Sequence, residues 1–271
     1  MGTQKRQKLN QLQELLAEGL VVPRWWLEER GYSGALLKKY TDGGWLLSPA
    51  RGAYRRPGAA LKWQHVAASL QRLSEYSLHI GGRAALVQRG RAHYIPMRGS
   101  ETILLYGPEV LPAWVNALGL PERFEMRNDA MFGSLRVTDT ALTSAHDTAG
   151  LVITEWGSSD WKLCYSVDER AMLEVLQDVP QRETVHDADI LMQGLLNLRP
   201  RLLSRLLAAC TSIKVKRLFL ALAERHEHAW FKHLDLQKVE LGTGKRMLSP
   251  GGKLHPKYLI TLPGDLDDHA R

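Results

Sequence analysis

The amino-acid sequence predicts an α+β protein with two domains, and three observations predict this class. Apolar residues recur every three or four positions over several stretches, as amphipathic helices require. Other stretches, such as residues 102–106 and 151–155, have the alternating apolar pattern of strands. The chain has 271 residues, 44% of them hydrophobic and 24% charged, which is enough to bury two cores. This composition excludes collagen-like, disulfide-framework and wholly disordered chains.

The N-terminal segment begins with two predicted helices. Leucines at helical spacing predict a helix over residues 5–18, and Gly19 stands where helices commonly end. Residues 21–23 have an extended pattern, and Pro23 suits the start of a second helix over residues 24–30.

A third helix is predicted over residues 34–40, with Ser33 as its N-cap. Leu36 and Tyr40 are one turn apart, and we expect them on its buried side. The residues that would then face outward, or flank that face, are Gly34, Lys38, Lys39 and Thr41.

A hairpin is predicted after the three helices. Residues 45–47 are strand-like, residues 48–51 are turn-like, and residues 52–56 return, before a fourth helix over residues 61–74. Helices with glycine-marked turns, followed by such a hairpin, are typical of a winged helix-turn-helix, whose last helix enters the major groove of DNA. We therefore expect residues 1–75 to be a winged helix-turn-helix DNA-binding domain.

The polar side chains of this domain suit a DNA interface. Lysine and arginine neutralise phosphates, whereas only side chains that reach base edges select a sequence, and here the candidates are Ser33, Lys38 and Thr41. The full set of predicted DNA-binding residues is Arg24, Ser33, Lys38, Lys39, Thr41, Arg51, Tyr54, Arg55 and Arg56. We expect the tryptophans of the domain to pack in its core rather than to stack on bases; they are Trp25, Trp26 and Trp45.

The net charge of +7 is distributed unevenly along the chain. Residues 1–62 hold 11 basic and 5 acidic residues, residues 63–198 hold 11 and 17, and residues 199–257 hold 13 and 4. Such asymmetry favours a polyanionic partner. The last of these segments could extend a DNA footprint, face an acidic protein, bind RNA, or simply cover packed helices. Its candidate basic surface consists of Lys214, Lys216, Arg217, Lys245 and Arg246.

The remainder of the chain, residues 76–271, predicts a larger mixed α+β domain. Strands are predicted over residues 102–106, 136–138, 151–155 and 161–166, helices over 168–178, 187–198, 199–210 and 214–225, and short closing strands around 238–241 and 257–262. Ser166 suits the N-cap of the first of these helices, and Pro200 suits the first turn of a new helix.

The cysteines and the lengths of the apolar runs indicate the cellular compartment in which the protein works. Cys164 and Cys210 are far apart and form no pair motif, which favours a reducing compartment. No apolar run reaches the roughly 20 residues that span a bilayer. The chain begins with a polar helix rather than an apolar signal core, so we expect a cytoplasmic protein without membrane contact.

Three patterns invite an enzymatic interpretation, and none fits it. Residues 242–246 (GTGKR) lack the first glycine of a phosphate-binding loop and its magnesium-holding hydroxyl. Residues 132–134 (FGS) with Asp139 resemble the opening of a nucleotidyltransferase, but no spaced aspartate pair follows. Residues 226–228 (HEH) with His233 lack zinc-ligand spacing, so we expect a solvated loop there. The sequence therefore predicts neither catalysis, nor a metal site, nor a cofactor.

Several runs of residues are distinctive in combination. They are residues 21–23, 36–37, 44–46 and 51–58, then 79–86 (HIGGRAAL) and 93–94, then 166–174 (SVDERAMLE), 214–220 (KVKRLFL), 241–246, 251–252 and 257–258. Together they resemble the AbiEi-type antitoxins of bacterial type IV toxin–antitoxin systems, over about residues 9 to 263.

That resemblance implies a function and two partners. Proteins of this family bind inverted repeats in their own promoter through the winged helix and so repress the operon. They also counter a nucleotidyltransferase-like toxin encoded beside them, a role of the C-terminal domain, which supports repression as well. The expected partners are therefore double-stranded promoter DNA, occupied by two copies because each half-site needs a reader, and the cognate toxin.

Two interpretations from other classes remain open. The protein could be an interaction antitoxin that does not read DNA and neutralises its toxin in a direct complex. It could also be an enzyme that acts on the toxin or on nucleic acid.

Overall fold

The N-terminal unit combines short helices with a three-stranded sheet. The structure is a computed structural model that describes residues 2–74, 77–91, 102–135, 149–157 and 161–266. In chain order the unit contains α1 (Gly2–Leu15), β1 (Val22–Pro23), α2 (Arg24–Glu28), α3 (Gly34–Asp42), β2 (Leu47–Ala50), β3 (Ala53–Arg55) and α4 (Trp63–Leu73). The predicted helices and the hairpin of this segment are thus confirmed, with shifts of a few residues at their ends.

Helix α3 begins as predicted and is buried on a slightly different side. The Ser33 Oγ accepts a hydrogen bond from the backbone N–H of Leu36 at 3.4 Å, which satisfies one of the free donors of the first turn. Leu37 and Tyr40 are buried, whereas Leu36 is only half-buried. The prediction that Leu36 shares the buried side was therefore wrong by one position.

The three-stranded sheet has the order β1-β3-β2 and is antiparallel throughout. Strand β2 begins later than predicted because the N–H groups of Trp45 and Leu46 both donate to the carbonyl of Tyr40, which prolongs the end of α3. Arg51 and Gly52 form the hairpin turn, and Gly52 has the positive φ of +78° that such a turn favours. The β2–β3 hairpin is the one that the sequence predicts, and β1 extends it by pairing with β3.

Helix α4 joins this unit to the rest of the molecule. Its Ser69 Oγ accepts from the N–H of Val21 at 2.9 Å. Gln71 of the same helix contacts the larger unit. Its side-chain amide donates to the Cys164 carbonyl and accepts from the Cys164 N–H, each at 2.9 Å. The buried amide pairs with the backbone of Cys164 as a neighbouring strand would. Through Ser69 and Gln71, α4 is therefore hydrogen-bonded to both units.

The second unit is built on a mixed five-stranded sheet. Its strands are β4 (His79–Ile80), β5 (Thr102–Tyr106), β6 (Arg123–Arg127), β7 (Leu151–Trp156) and β8 (Trp161–Ser166), in the order β6-β5-β4-β8-β7. The pairs β4–β8 and β5–β6 are parallel, and the other two are antiparallel. Strands β4 and β6 were not predicted, and the predicted strand over residues 136–138 lies outside the described residues.

Helices pack on this sheet and carry most of the core. They are α5 (Gly82–Gln88), α6 (Asp168–Asp178), α7 (Val185–Gln193), α8 (Pro200–Ala209) and α9 (Ile213–Arg225), followed by the short pair β9 (Lys253–Leu254) and β10 (Thr261–Leu262). Pro200 opens α8 as predicted. The N-cap of α6 is Val167 rather than Ser166, because the Ser166 hydroxyl donates to Glu174 instead. No strand forms at residues 238–241.

Candidate nucleic-acid interface

The outward side of α3 carries two exposed lysines. Lys38 has 79% of its side chain exposed, and its Nζ lies 3.5 Å from Asp42 Oδ2 one turn later. Lys39 is also exposed, as is the N-cap Ser33. Thr41 is half-buried and its hydroxyl donates to the Leu37 carbonyl at 2.9 Å, so it is less available to an external partner.

Arg24 lies over the start of α3. Its Nε is 2.7 Å from Glu28 Oε1, and this hydrogen bond raises the pKa of Arg24 above its usual value. A Cβ atom at Gly34 would clash with the Arg24 guanidinium, so the absence of a side chain at Gly34 lets the arginine rest there. Arg24 thereby places an exposed guanidinium beside the exposed side of α3.

The hairpin presents fewer cations than the sequence predicts. Arg51 is exposed at the turn, and Tyr54 is half-buried. Arg55 is only 8% exposed, and its guanidinium donates to the carbonyls of Ala59 at 3.0 Å and Gly58 at 3.4 Å. The prediction of Arg55 as a cation on the outer surface of a wing is therefore corrected.

Arg56 also has an internal role. Its Nη1 donates to the carbonyls of Gln13 at 2.8 Å and Leu16 at 3.2 Å. These carbonyls belong to the end of α1, where helices leave acceptors unpaired and favour positive charge. Arg56 thus caps α1 and is half-buried, and its contact with phosphates stays a prediction.

Two of the tryptophans expected in the core reach the surface. Trp25 is 52% exposed and Trp45 is 50% exposed. Trp26 is half-buried, with the Arg30 guanidinium 3.7 Å from its ring centroid. The sequence expectation was wrong for Trp25, which lies on the outer face of the short helix α2, and for Trp45, which lies in the bend between α3 and β2.

The predicted second basic surface does not form from the residues of α9. Lys214 Nζ donates to the carbonyls of Gln177 and Val179, and burial lowers the pKa of Lys214. Lys216 is buried, and Arg217 is 1% exposed. Lys245 and Arg246 are exposed, but the other three predicted members are internal, and the prediction is corrected accordingly.

Arg217 explains the glycine turn at residues 242–244. Its guanidinium donates to the carbonyls of Leu241, Gly242, Gly244 and Leu259 at 2.6–3.1 Å. Gly242 and Gly244 have φ of +64° and +73°, which turns their carbonyls towards the arginine. A loop that presents carbonyls to a cation has the opposite polarity to a phosphate cradle, in which N–H groups converge.

Two of the histidines of residues 226–233, His226 and His228, are held by other parts of the protein, whereas His233 is exposed. His226 Nε2 lies 2.7 Å from Asp189 Oδ1, and His228 Nε2 lies 2.8 Å from the Met192 carbonyl. His228 is buried, so the expected solvated loop was wrong at that position. Within the described ranges, no three histidine, cysteine, aspartate or glutamate side chains are grouped as a metal ion would need. Cys164 and Cys210 are free and buried.

A fully buried polar cluster joins the runs 79–86 and 166–174. The Glu174 carboxylate accepts from the N–H of Gly82 at 2.9 Å, the Ser166 hydroxyl at 2.8 Å and Arg170 Nε at 3.0 Å, and it lies 2.9 Å from His79 Nε2. A Cβ at Gly81 would collide with the same carboxylate. Contacts with the Glu174 carboxylate therefore connect β4, α5 and β8 to α6, and they explain why the two runs occur together.

Burial and charge shift the pKa values in this cluster. Burial lowers the pKa of His79 below its ordinary 6.5, and the charge of Arg170 lowers it further. Burial by itself would raise the pKa of Glu174, but His79 and Arg170 hold it below its usual value. Tyr106, stacked on His79 with ring centroids 5.5 Å apart, has a pKa well above 10 because of burial.

Fold and exposed charge together define a two-domain α+β protein with a cationic helix on its smaller unit. Two family models match the chain: one described as "Transcriptional regulator, AbiEi antitoxin N-terminal domain" over residues 5–97, and one as "Transcriptional regulator, AbiEi antitoxin, Type IV TA system" over residues 100–263. The chain belongs to the AbiEi antitoxin family of type IV toxin–antitoxin systems, a family of transcriptional regulators.

A solved structure shares the fold. The crystal structure of the RV2827C protein from Mycobacterium tuberculosis aligns with a TM-score of 0.53 at 16% identity, covering 89% of this chain and 85% of that chain. No curated protein matches the sequence. Within the part of the chain that the structure describes, every helix is too short or too polar to cross a bilayer.

Proposed function

We propose that the N-terminal unit is a winged helix-turn-helix that binds inverted repeats in the protein's own promoter and represses the operon. The observation that carries this proposal is the set of exposed cations around α3: Lys38 and Lys39 on the helix, Arg24 over its first turn and Arg51 on the hairpin. In a winged helix these positions meet the major groove and the flanking phosphates.

The proposed contacts differ in their roles. Ser33 and Lys38 stand where side chains reach base edges, so they are the candidates for sequence selection. Lys39, Arg24 and Arg51 supply affinity by neutralising phosphates. One unit reads one half-site, and an inverted repeat therefore takes two copies.

We further propose that the larger unit counters a nucleotidyltransferase-like toxin. Family membership supports this role in general terms. The internal bonds of Lys214 and Arg217 leave less free basic surface there than the sequence predicts, which weighs against a second DNA or RNA footprint on α9.

Full-length variants in cells separate the two roles. Lys38→Ala with Arg51→Ala should derepress a reporter fused to the upstream promoter and should leave rescue from the co-expressed toxin intact. Arg123→Ala with Lys232→Ala removes two exposed cations elsewhere and serves as the matched control. Full repression by the first double variant would overturn the proposed DNA interface. Loss of rescue by that variant, at normal protein levels, would overturn the division of roles.

A further inference from the structure

A cavity of about 560 Å³ lies between the two units, on the side of α2 and the hairpin turn. Volumes between roughly 300 and 1,000 Å³ are typical of small-molecule sites, which are common at domain boundaries. Its walls come from α2, the end of α4 and the segment between β5 and β6, so neither unit forms it alone.

The walls are mainly apolar. Leu73 of α4 and Leu111, Trp114 and Met126 of the larger unit line the cavity, and Trp25 of α2 lines it as well. Half of Trp25 remains exposed although the side chain is large and aromatic. An apolar ligand seated here would cover this ring and remove apolar surface of both units from water.

The charges at the cavity are not equivalent. Arg24 is paired with Glu28, whereas Glu109, on the wall from the larger unit, accepts a hydrogen bond from the neutral Ser77 hydroxyl at 3.2 Å and keeps its negative charge. Arg51 makes no ion pair with any residue that the structure describes, and it lines the same cavity from the exposed hairpin turn. Arg51 therefore places a cation with no ion-pair partner among the described residues at the hairpin edge of an apolar cavity, beside the Arg24–Glu28 pair.

We propose that this cavity binds a small organic acid with a flat, apolar body, which lies between Trp25 and the Leu111–Trp114 wall while its anionic group pairs with Arg51. A second consequence rests on the proposed function: since Arg51 is also a proposed phosphate contact, the bound acid withdraws this cation from DNA and weakens promoter binding. Ligand and promoter then lower each other's affinity by the same factor.

Calorimetric titration of the full chain with naphthalene-2-sulfonate tests the site. The wild type should bind one equivalent, and it should bind the uncharged naphthalene-2-sulfonamide at least fivefold more weakly. Arg51→Ala should abolish this preference for the anion. Ala113→Trp places a bulky ring in the cavity and should weaken the sulfonate at least tenfold, whereas Ala117→Trp, an exposed position outside the cavity, should bind as the wild type does.

The outcomes are decisive in both directions. Absence of saturable one-to-one binding, or undiminished binding by Ala113→Trp, overturns the site. An anion preference that survives in Arg51→Ala overturns the assigned ligand class. Promoter affinity, measured without and with saturating sulfonate, separates this proposal from the proposed DNA binding. If the protein does not bind the promoter in the absence of sulfonate, the proposed DNA binding fails. If saturating sulfonate leaves the promoter affinity unchanged, the coupling between ligand and DNA is overturned.

Discussion

At the scale of single residues, the arginines divide into those that bind carbonyls inside the protein and those that reach solvent. Arg55 and Arg217 are internal, whereas Arg51 is exposed. The sequence gives all three the same charge and does not show which of them is internal. The carbonyls that hold Arg217, for example, lie 24 to 42 positions away along the chain. Helical spacing could predict that Lys38 faces outward, but no helical or strand pattern indicates which carbonyls bind Arg217, or that Arg55 binds those of Gly58 and Ala59 just after it.

Replacement of Arg217 tests whether its hydrogen bonds to the carbonyls of residues 241–259 stabilise the fold. Arg217→Met should lower the free energy of unfolding by roughly 2–4 kcal/mol, because several buried carbonyls lose a charged donor. Urea unfolding measures this change, and the exposed Lys245→Met should stay within about 0.5 kcal/mol of the wild type. A stability loss no larger than that of the control would show that Arg217 is not a structural group.

The buried His79 predicts a pH dependence of stability. Its pKa is lower in the folded protein than its ordinary 6.5, so below that pH the unfolded chain takes up a proton that the folded protein does not. Stability is therefore lost as the pH falls below 6.5, by at most about 1.4 kcal/mol per pH unit for one group. Glu174, with its pKa held below 4.5, adds to the loss at lower pH.

The His79→Gln variant isolates this contribution. Urea unfolding at several pH values between 7.5 and 5 should show a shallower decline than in the wild type, whatever the stability at neutral pH. His233→Gln, an exposed position, should keep the wild-type slope. Equal slopes in His79→Gln and wild type would contradict the assignment.

At the scale of helices and strands, long amphipathic elements follow from the sequence and short ones do not. Helix α6 and strand β8 have the predicted bounds. Strand β4 has two residues, and its partners in β5 and β8 lie far along the chain, so its pairing has no local signal. Strand β6 alternates charged and apolar residues, but it is short and lies between loop residues, and the sequence analysis did not predict it.

Helix α4 predicts a stability effect at the junction of the two units. Gln71→Met preserves the shape of the side chain but leaves the buried N–H and carbonyl of Cys164 without their partner. We expect a loss of about 1–3 kcal/mol in urea unfolding. Gln88→Ala on the exposed surface of α5 is the control, and equal stability of both variants would contradict the role given to Gln71.

At the scale of the whole molecule, the net charge of +7 does not describe what a partner meets. Several cations of the basic segment 199–257, among them Lys214 and Arg217, bind carbonyls of the same chain. The exposed cations of the N-terminal unit surround α3, with Glu28 and Asp42 as their near acidic neighbours. The fold class and α3 could be predicted from the sequence, whereas the division between internal and exposed charge required the structure.

The salt dependence of promoter binding tests this account most directly. For the wild type, the logarithm of the association constant should fall linearly with the logarithm of the salt concentration, with roughly 0.9 added to the slope for each phosphate neutralised. Lys38→Ala with Arg51→Ala should weaken binding at least tenfold at low salt and reduce the slope by about 1, because Arg51 is the proposed phosphate contact of the two. Arg123→Ala with Lys232→Ala should match the wild type. An unchanged affinity and slope in the first double variant would contradict the claim that α3 and the hairpin turn bind DNA.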